Sequence, residues 1–392
     1  MKRLIVVGAG PIGLVAAVQA SARGLDVTVL ERDRVGESLR RWGRTRLFTP
    51  FEMNVPPDVR ELLGGSAPAP DRLLLGREMV KEVLEPLASN PILEGRVHIG
   101  HRVVAIGRAG LTRGELAGHP LRGERPFHVL ASTPAGERVF EAEAVFDASG
   151  AGAPANFGPG GLPALGELEH GGAVLRHLAD LEAALPGPGG RRFLVLGHGH
   201  SAATAILRLA DLAAADSGTR VTWVVRSANR RPCADLAYDP LPERQRTVAS
   251  ANDLANAPPD WLRVERRASV EQIASTGAGF AVALTGGRRV DADVVAAFTG
   301  YRPDASFVTE LAIESGAASE GTARLERALA NVTDCLTVPK VSSTDLETGE
   351  PGFFFAGARS YGRSRAFLLR TGYAHLAAML DGIAAPVAAA RL

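Results

Sequence analysis

The stretch Leu4-Ile5-Val6-Val7-Gly8-Ala9-Gly10-Pro11-Ile12-Gly13-Leu14 decides how this chain is read. Four consecutive aliphatic residues are the mark of a short strand buried on both faces, as in a parallel sheet. Gly8, Gly10 and Gly13 then interrupt the run, and Leu14 to Ala22 is a small, apolar, helix-forming stretch closed by Gly24. A second strand, Val27-Thr28-Val29-Leu30, ends in Glu31, which is 31 − 8 = 23 positions beyond Gly8. Strand, Gly-rich turn, helix, strand and terminal acid at this spacing form a dinucleotide-binding βαβ unit. The first glycine permits the tight turn, the second lets the backbone approach a pyrophosphate, and the third lets helix and strand pack closely. The helix N-terminus presents free N–H groups to the phosphates, and Glu31 is placed to accept hydrogen bonds from ribose hydroxyls. Gly-rich turns are common, so the weight rests on the whole unit rather than on the glycines.

The pattern returns 197 − 8 = 189 residues later. Phe193-Leu194-Val195-Leu196 leads into Gly197-His198-Gly199-His200-Ser201-Ala202, a helix-like stretch to Ala210, and Val221-Thr222-Trp223-Val224-Val225 ending in Arg226. Ala202 takes the place of the third glycine and Arg226 the place of the acid. A cation at this strand end suits a ribose 2′-phosphate and removes the acid that would repel it, with Arg230 and Arg231 close by. The alternative is a solvated strand-end charge.

Each unit has a similar tail. Arg102 to Ile106, Phe127 to Ala131 and Arg138 to Ala144 run into Val145-Phe146-Asp147-Ala148-Ser149-Gly150; Ser269 to Ile273, Phe280 to Leu284 and Arg289 to Ala292 run into Ala297-Phe298-Thr299-Gly300. The sequence therefore predicts an internal duplication: βαβ, β-meander, then a small-residue exit turn. The charge-rich span Gly107 to Arg125 reads as an ordinary hairpin loop. Pro232 to Pro259 reads as a long insertion, functional or simply an added helix, with Tyr238, Asp239, Arg244 and Asn252. Phe353-Phe354-Phe355-Ala356-Gly357-Ala358 reads as a further buried strand with a tight exit, followed by a final helix over Arg365 to Leu380.

Composition narrows the class. A length of 392 residues suggests two or three domains. Lys+Arg 44 against Asp+Glu 43 leaves a formal charge of +1, so no global field draws the chain to nucleic acid or to an anionic membrane. Hydrophobic residues at 46% and charged residues at 22% fit an ordinary globular protein. The two cysteines, Cys233 and Cys335, lie 335 − 233 = 102 positions apart. That spacing excludes a disulfide framework, a Cys-rich zinc site and a CxxC redox pair, and suggests a reducing, cytoplasmic compartment. Met1-Lys2-Arg3 and the apolar run after it resemble the start of a signal peptide only until Gly8 cuts the run. No uninterrupted apolar stretch is long enough to span a membrane, and the alanine-rich end, Ala384 to Ala390, is short and holds Pro386. No metal site is expected: His198 and His200 read as nicotinamide-cofactor contacts or solvent-facing turn residues, with no carboxylate beside them in sequence. Oligomeric state is not legible.

Taken together, these motifs resemble those of the two-dinucleotide-binding-domain flavoproteins, the group that holds thioredoxin reductases and the flavin-containing, Baeyer–Villiger and N-hydroxylating monooxygenases. The resemblance runs from the first Gly-turn to the final helix. It implies an α/β fold of two Rossmann-like three-layer domains, the NADP domain inserted into a discontinuous FAD domain. The expected segments are 1–170 and 300–392 for FAD and 171–299 for NADPH. It further implies that Gly8, Gly10, Pro11, Ile12, Gly13 and Glu31 bind the FAD adenosine diphosphate, that Val104 offers its backbone to the adenine, and that Gly150 and Gly357 sit at later flavin-binding turns. Gly197, Gly199, His200, Ser201, Ala202 and Arg226 would bind NADPH.

Disulfide reductases of this group need a close pair of cysteines, which the sequence lacks. Asp293-Val294-Val295-Ala296-Ala297-Phe298-Thr299-Gly300-Tyr301 looks like the ATGY linker of the N-hydroxylating and Baeyer–Villiger enzymes, with Phe298 in place of the first Ala. Gly166 and His170 keep the core of the monooxygenase fingerprint, but Ala164 and Val174 stand where the family has aromatic residues. Ala358 stands where many relatives carry an acid on the ribityl chain, leaving Ser360 or backbone groups to serve. The resemblance thus implies an NADPH-dependent flavoprotein monooxygenase that uses a flavin C4a-hydroperoxide and molecular oxygen on a small polar substrate. The alternatives are a reductase or dehydrogenase serving a quinone or small acceptor, and a redox-sensing flavin-binding protein. Flavin neighbours are expected from the loop after Glu31 (Trp42, Arg44, Arg46, Phe48, Thr49, Asn54), from Asn156 and Phe157, and from the C-terminal turn. There, Arg359, Tyr361 and Arg363, with Asn156, are the expected catalytic group, the cations holding an anionic substrate or a negative flavin species.

Overall fold

The computed structural model describes residues 1–384 except Ala237 and Thr333, so the alanine-rich end from residue 385 onward lies outside the described residues. β1 (Arg3–Val7), the helix Pro11–Ala22 and β2 (Asp26–Glu31) form the first βαβ unit. Pro11 opens the helix where a missing N–H costs nothing. β3 (Val97–Ile99) widens the sheet, β4 (Arg102–Arg108), β5 (Phe127–Thr133) and β6 (Gly136–Ala142) form an antiparallel meander, and β7 (Ala144–Asp147) returns to the sheet. After β8 (Ala153–Pro154) the second unit begins. It runs through β9 (Arg192–Leu196), the helix His200–Ala215, β10 (Arg220–Val225), the helix Pro242–Asn256 and β11 (Leu262–Arg266). A meander of β12 (Val270–Ser275), β13 (Phe280–Leu284) and β14 (Arg288–Ala292) leads to β15 (Val294–Ala297). β16 (Tyr301–Arg302) pairs with β8, and β17 (Phe353–Phe355) with the helix Leu369–Ala384 completes the first unit.

Two parallel sheets result, ordered β17-β7-β1-β2-β3 and β11-β10-β9-β15. The second lies in sequence between β7 and β17 of the first, which is the interrupted α/β architecture expected. The period of two along each strand divides the core into layers. Leu4 and Val6 of β1 face the cluster that holds the Pro11–Ala22 and Leu369–Ala384 helices, whereas Ile5 and Val7 face Ile106, Phe127 and Val129 of the meander. β9 repeats this: Phe193 and Val195 pack on Ile206, Leu209 and Ala251, and Leu194 and Leu196 pack on Val282 and Leu284. Each parallel sheet is therefore buried between helices and a meander, which is why its strands read as continuous apolar runs.

Three local expectations change. The final helix starts at Leu369, not Arg365: Gly362 turns at φ +60°, and Phe367 leaves the helical path to meet Tyr361 edge-on at 5.4 Å. The 232–259 insertion contains the helix Pro242–Asn256, packed on the helix His200–Ala215, while Tyr238 is exposed. Gly107 to Arg125 is more than a hairpin loop. Arg122 in it is fully buried and shares the buried carboxylate of Glu350 with Arg108, at 2.9 and 2.8 Å. Ala312 N–H also donates to Glu350, so the acid ties three separate segments together.

Candidate dinucleotide and flavin site

The first Gly-turn is shaped by what a side chain would strike. Gly8 has φ +103°, and a Cβ there would lie 2.9 Å from the carbonyl oxygen of Ala148; a Cβ on Gly13 would lie 1.9 Å from that of Gly8. Gly10 is the opposite case: a Cβ there would meet no atom within 4 Å, so its backbone borders open space. The turn is clamped by Glu31, which accepts from Ala9 N–H at 2.7 Å and Asp33 N–H at 2.8 Å. Gly357, at φ +63°, brings the C-terminal turn so close that a Cβ would lie 2.5 Å from Ile12. Gly150 turns at φ +79° after β7, open on its side-chain face. Gly8, Gly10, Pro11, Ile12, Gly13, Glu31, Gly150 and Gly357 thus meet at the carboxyl edge of the first sheet, where ligands of open α/β sheets bind. Val104 is the extra residue of a β-bulge in β4, its side chain exposed and its backbone outside the ladder register.

The second turn repeats the geometry. Gly197 has φ +110°, and a Cβ would lie 2.2 Å from the carbonyl oxygen of Phe298, the counterpart of Ala148. Trp223, fully buried, donates its indole N–H to the Gly197 carbonyl at 2.7 Å and so fixes the turn from below. Gly199 borders open space and caps the His200–Ala215 helix without a side-chain hydrogen bond; Ser201 is half-buried, and Ala202 is fully buried against the sheet. Arg226 is exposed at the end of β10, and among the described residues no acid lies within ion-pair distance of it. Arg231 is held by Asp235 and Asp253, and Arg266 anchors the carbonyls of Asn229 and Arg230. The second turn meets the first unit where the His200 ring contacts Phe48 of the 44–48 loop edge-on at 5.3 Å. Burial first, then nearby arginines, hold His198 and His200 below the usual imidazole range, so both are neutral near pH 7.

The expected catalytic group is distributed differently. Arg359 is buried and donates through Nε to Asp147 at 2.9 Å and through Nη1 to the Glu320 carbonyl at 2.9 Å, with its guanidinium over Phe355. Tyr361 is buried, its ring stacked on His375 at 5.8 Å, and its hydroxyl has no hydrogen-bond partner among the described residues. Arg363 is at the surface, paired with Glu320 at 2.9 Å. Asn156 closes its own loop by donating to the Gly161 carbonyl at 3.0 Å. Arg359 and Arg363 meet through Glu320; Asn156 is not joined to them by any hydrogen bond. Ser360 donates to the Gly357 carbonyl at 2.7 Å and so braces the turn.

Several supporting residues escaped the sequence reading. Asp147 ends a strand otherwise buried on both faces, and an acid at such a place is the signal that a buried cation must meet it. Trp223 and Arg244 left no comparable mark. Gly166, read as a fingerprint residue, has a local packing reason: at φ +80° a Cβ there would lie 2.1 Å from the Ile273 carbonyl oxygen. Nearby, Leu165 and Leu175 exchange backbone hydrogen bonds with β12 and β15. Tyr301, in the linker after β15, donates to the Arg176 carbonyl and stacks on His177. Burial pushes Cys233 up to about 12, and burial also raises Cys335, 3.3 Å from Nη1 of Arg244.

A family model described as pyridine nucleotide-disulphide oxidoreductase matches residues 5–68, which contain the first βαβ unit. No curated protein sequence matches the chain significantly. Among solved structures, bacillithiol disulfide reductase from Bacillus cereus superposes with a TM-score of 0.67 at 19% identity, covering 98% of each chain. The chain has the two-dinucleotide-binding-domain flavoprotein fold. Thioredoxin reductase from Lactococcus lactis shares this flavoprotein fold at 17% identity and TM-score 0.61, with 97% of each chain covered. L-lysine 6-monooxygenase from Pseudomonas syringae shares it at 18% identity and TM-score 0.61, with 98% of this chain and 100% of that chain covered. One flavoprotein fold thus serves proteins named as reductases and proteins named as monooxygenases. Among the described residues, no helix is long and apolar enough to cross a membrane.

Proposed function

We propose that this chain is an FAD-dependent NADPH oxidoreductase, with 1–170 and 300–392 holding FAD and 171–299 holding NADPH. The observation that carries the reading is the pair of Gly-turns, each opening a helix with no side-chain cap, the second meeting the 44–48 loop of the first unit through His200 and Phe48. Gly10 and Gly199 leave open space where a pyrophosphate backbone needs it, so the residues fit the two cofactors. FAD would lie along Gly8–Gly13, Glu31, Val104, Gly150 and Gly357. NADPH would lie along Gly197–Ala202, with its 2′-phosphate on Arg226. Together the cofactors supply hydride transfer from nicotinamide to flavin; the protein's part is to hold the rings in register and exclude water.

We infer further that molecular oxygen is the electron acceptor and a small polar molecule the substrate. Two protonated thiols give the chain no thiolate to pass electrons to a disulfide, and the likeness to L-lysine 6-monooxygenase supports the oxygenase branch. The likeness to bacillithiol disulfide reductase favours a second reading, a reductase that serves a small acceptor directly.

Stopped-flow absorbance separates them. The oxygenase reading expects NADPH to bleach the flavin, and oxygen to produce a transient unlike either oxidised or reduced flavin. Reoxidation with no transient, together with faster turnover on an added quinone, selects the reductase. Arg226→Ala is expected to raise the KM for NADPH roughly tenfold or more and to leave that for NADH nearly unchanged, since a charged hydrogen bond to the 2′-phosphate is lost. No reduction by either nucleotide would overturn both enzyme readings.

A further inference from the structure

The cations expected to hold an anionic substrate at the C-terminal turn are already engaged: Arg359 by Asp147 and Arg363 by Glu320. Cations without an acid partner are elsewhere. A cleft of about 330 Å³ opens between the 44–48 loop of the first unit, with Arg77 beside it, and the flanks of the helices His200–Ala215 and Pro242–Asn256. Its walls carry five guanidinium groups, from Arg44, Arg46, Arg77, Arg208 and Arg246, against the single carboxylate of Glu243. Glu243 is bound to Arg246 at 2.6 Å, and Arg208 reaches Glu182 at 3.6 Å. Among the described residues no acid lies within 4.0 Å of the Arg44, Arg46 or Arg77 guanidinium, although Arg46 donates through Nη1 to the Leu73 carbonyl at 3.1 Å. Thr45, also on the wall, has a buried hydroxyl with no hydrogen-bond partner among the described residues.

Ordinary surface arginines are spaced among acids. Concentrating them in a concave site raises the local potential and costs repulsion that a bound anion relieves. The cleft is also distinct from the nucleotide phosphate site. His200, Thr204 and Arg208 share one helix face at intervals of four, so the cleft residues lie about 6 and 12 Å along the axis from the helix start. A volume of this size accepts a small metabolite.

We propose that this cleft binds a small polyanion, a molecule carrying phosphate or at least two carboxylates, and that this molecule is the substrate. Calling it the substrate rests on the oxidoreductase reading; binding of the anion does not. The guanidinium forks match planar carboxylate and phosphate oxygens in pairs, and Phe48 supplies an apolar wall for the rest of the ligand.

The test is calorimetric titration of citrate, and separately of inorganic pyrophosphate, into the full-length protein at low salt. Each titration is run on the protein as purified and again after saturation with FAD and NADP+. At least one probe is expected to bind with one site per chain under both conditions. Arg46→Gln combined with Arg77→Gln is expected to weaken it about tenfold or more, whereas Arg226→Ala leaves it intact. Both replaced residues are exposed, so the double variant should keep its melting temperature. Binding of neither probe, wild-type affinity in the double variant, or loss of binding in Arg226→Ala or on nucleotide saturation would each overturn the proposal. Failure of FAD or NADP+ to bind would sink the oxidoreductase reading instead and leave the citrate result standing.

Discussion

Asp147, Arg359, Tyr361 and His375 show how a residue's neighbours decide its part. Burial pushes the Asp147 carboxyl up, and the Arg359 guanidinium and the Ser149 donors oppose that shift. An ion pair in such a place is expensive to break, because the partner left behind is an uncompensated buried charge. From sequence, Arg359, Tyr361 and Arg363 are three polar residues in one turn; in the fold, they have a buried acid, an aromatic stack and a surface acid as separate partners. His375 gives a pH prediction. Burial lowers its imidazole from 6.5 to about 4. The unfolded chain therefore binds a proton that the folded chain refuses across that interval, and stability falls as pH falls from about 6.5 to about 4. A shift of that size corresponds to a contribution on the order of 3 kcal/mol, fully present above pH 6.5. Urea titrations of wild type and His375→Phe across this range are expected to differ in slope, the variant losing that part of the acid sensitivity. Parallel slopes would refute the assignment.

The βαβ units were legible as elements because three local signals agree: apolar runs, glycine spacing and the residue ending the second strand. The meanders were legible from alternation. Element ends were less so: Tyr361 and Phe367 are near neighbours in the chain, but whether their rings meet, and so where the helix after them starts, depends on how the turn at Gly362 packs. The glycines separate folding from binding. Gly13→Ala places a Cβ against the Gly8 carbonyl, and is expected to cost about 1–3 kcal/mol as well as flavin. Gly10→Ala meets nothing in the folded chain, so its flavin-free form should melt at the temperature of flavin-free wild type while flavin retained after gel filtration falls about tenfold or more. A Gly10→Ala protein that keeps its flavin would place the pyrophosphate elsewhere.

At the scale of the whole molecule, the second unit is tied back to the first by side chains from distant segments. Arg244, on the helix Pro242–Asn256, pairs with Asp239 in its own unit and reaches Asp334 at 3.2 Å and Cys335 in the returning segment. Arg244→Gln is expected to lower stability by about 1–3 kcal/mol, with faster hydrogen exchange concentrated near residues 335–338. Uniform exchange changes, or none, would argue against a tie at this point.

The sequence by itself determined the class of fold, the duplication with one unit inside the other, and the two Gly-turns. Each of these is carried by residues close together in the chain, whose backbone preferences and spacing need no partner to be read. Only the tertiary structure decided which charges are engaged. Asp147 and Arg359 are 212 positions apart, and Arg122 and Glu350 are 228 apart. Ion pairing depends on distance in space and on burial, and neither is written in local order. For the same reason the arginines without an acid partner emerged only when the 44–48 loop and two helices of the second unit closed around one cleft.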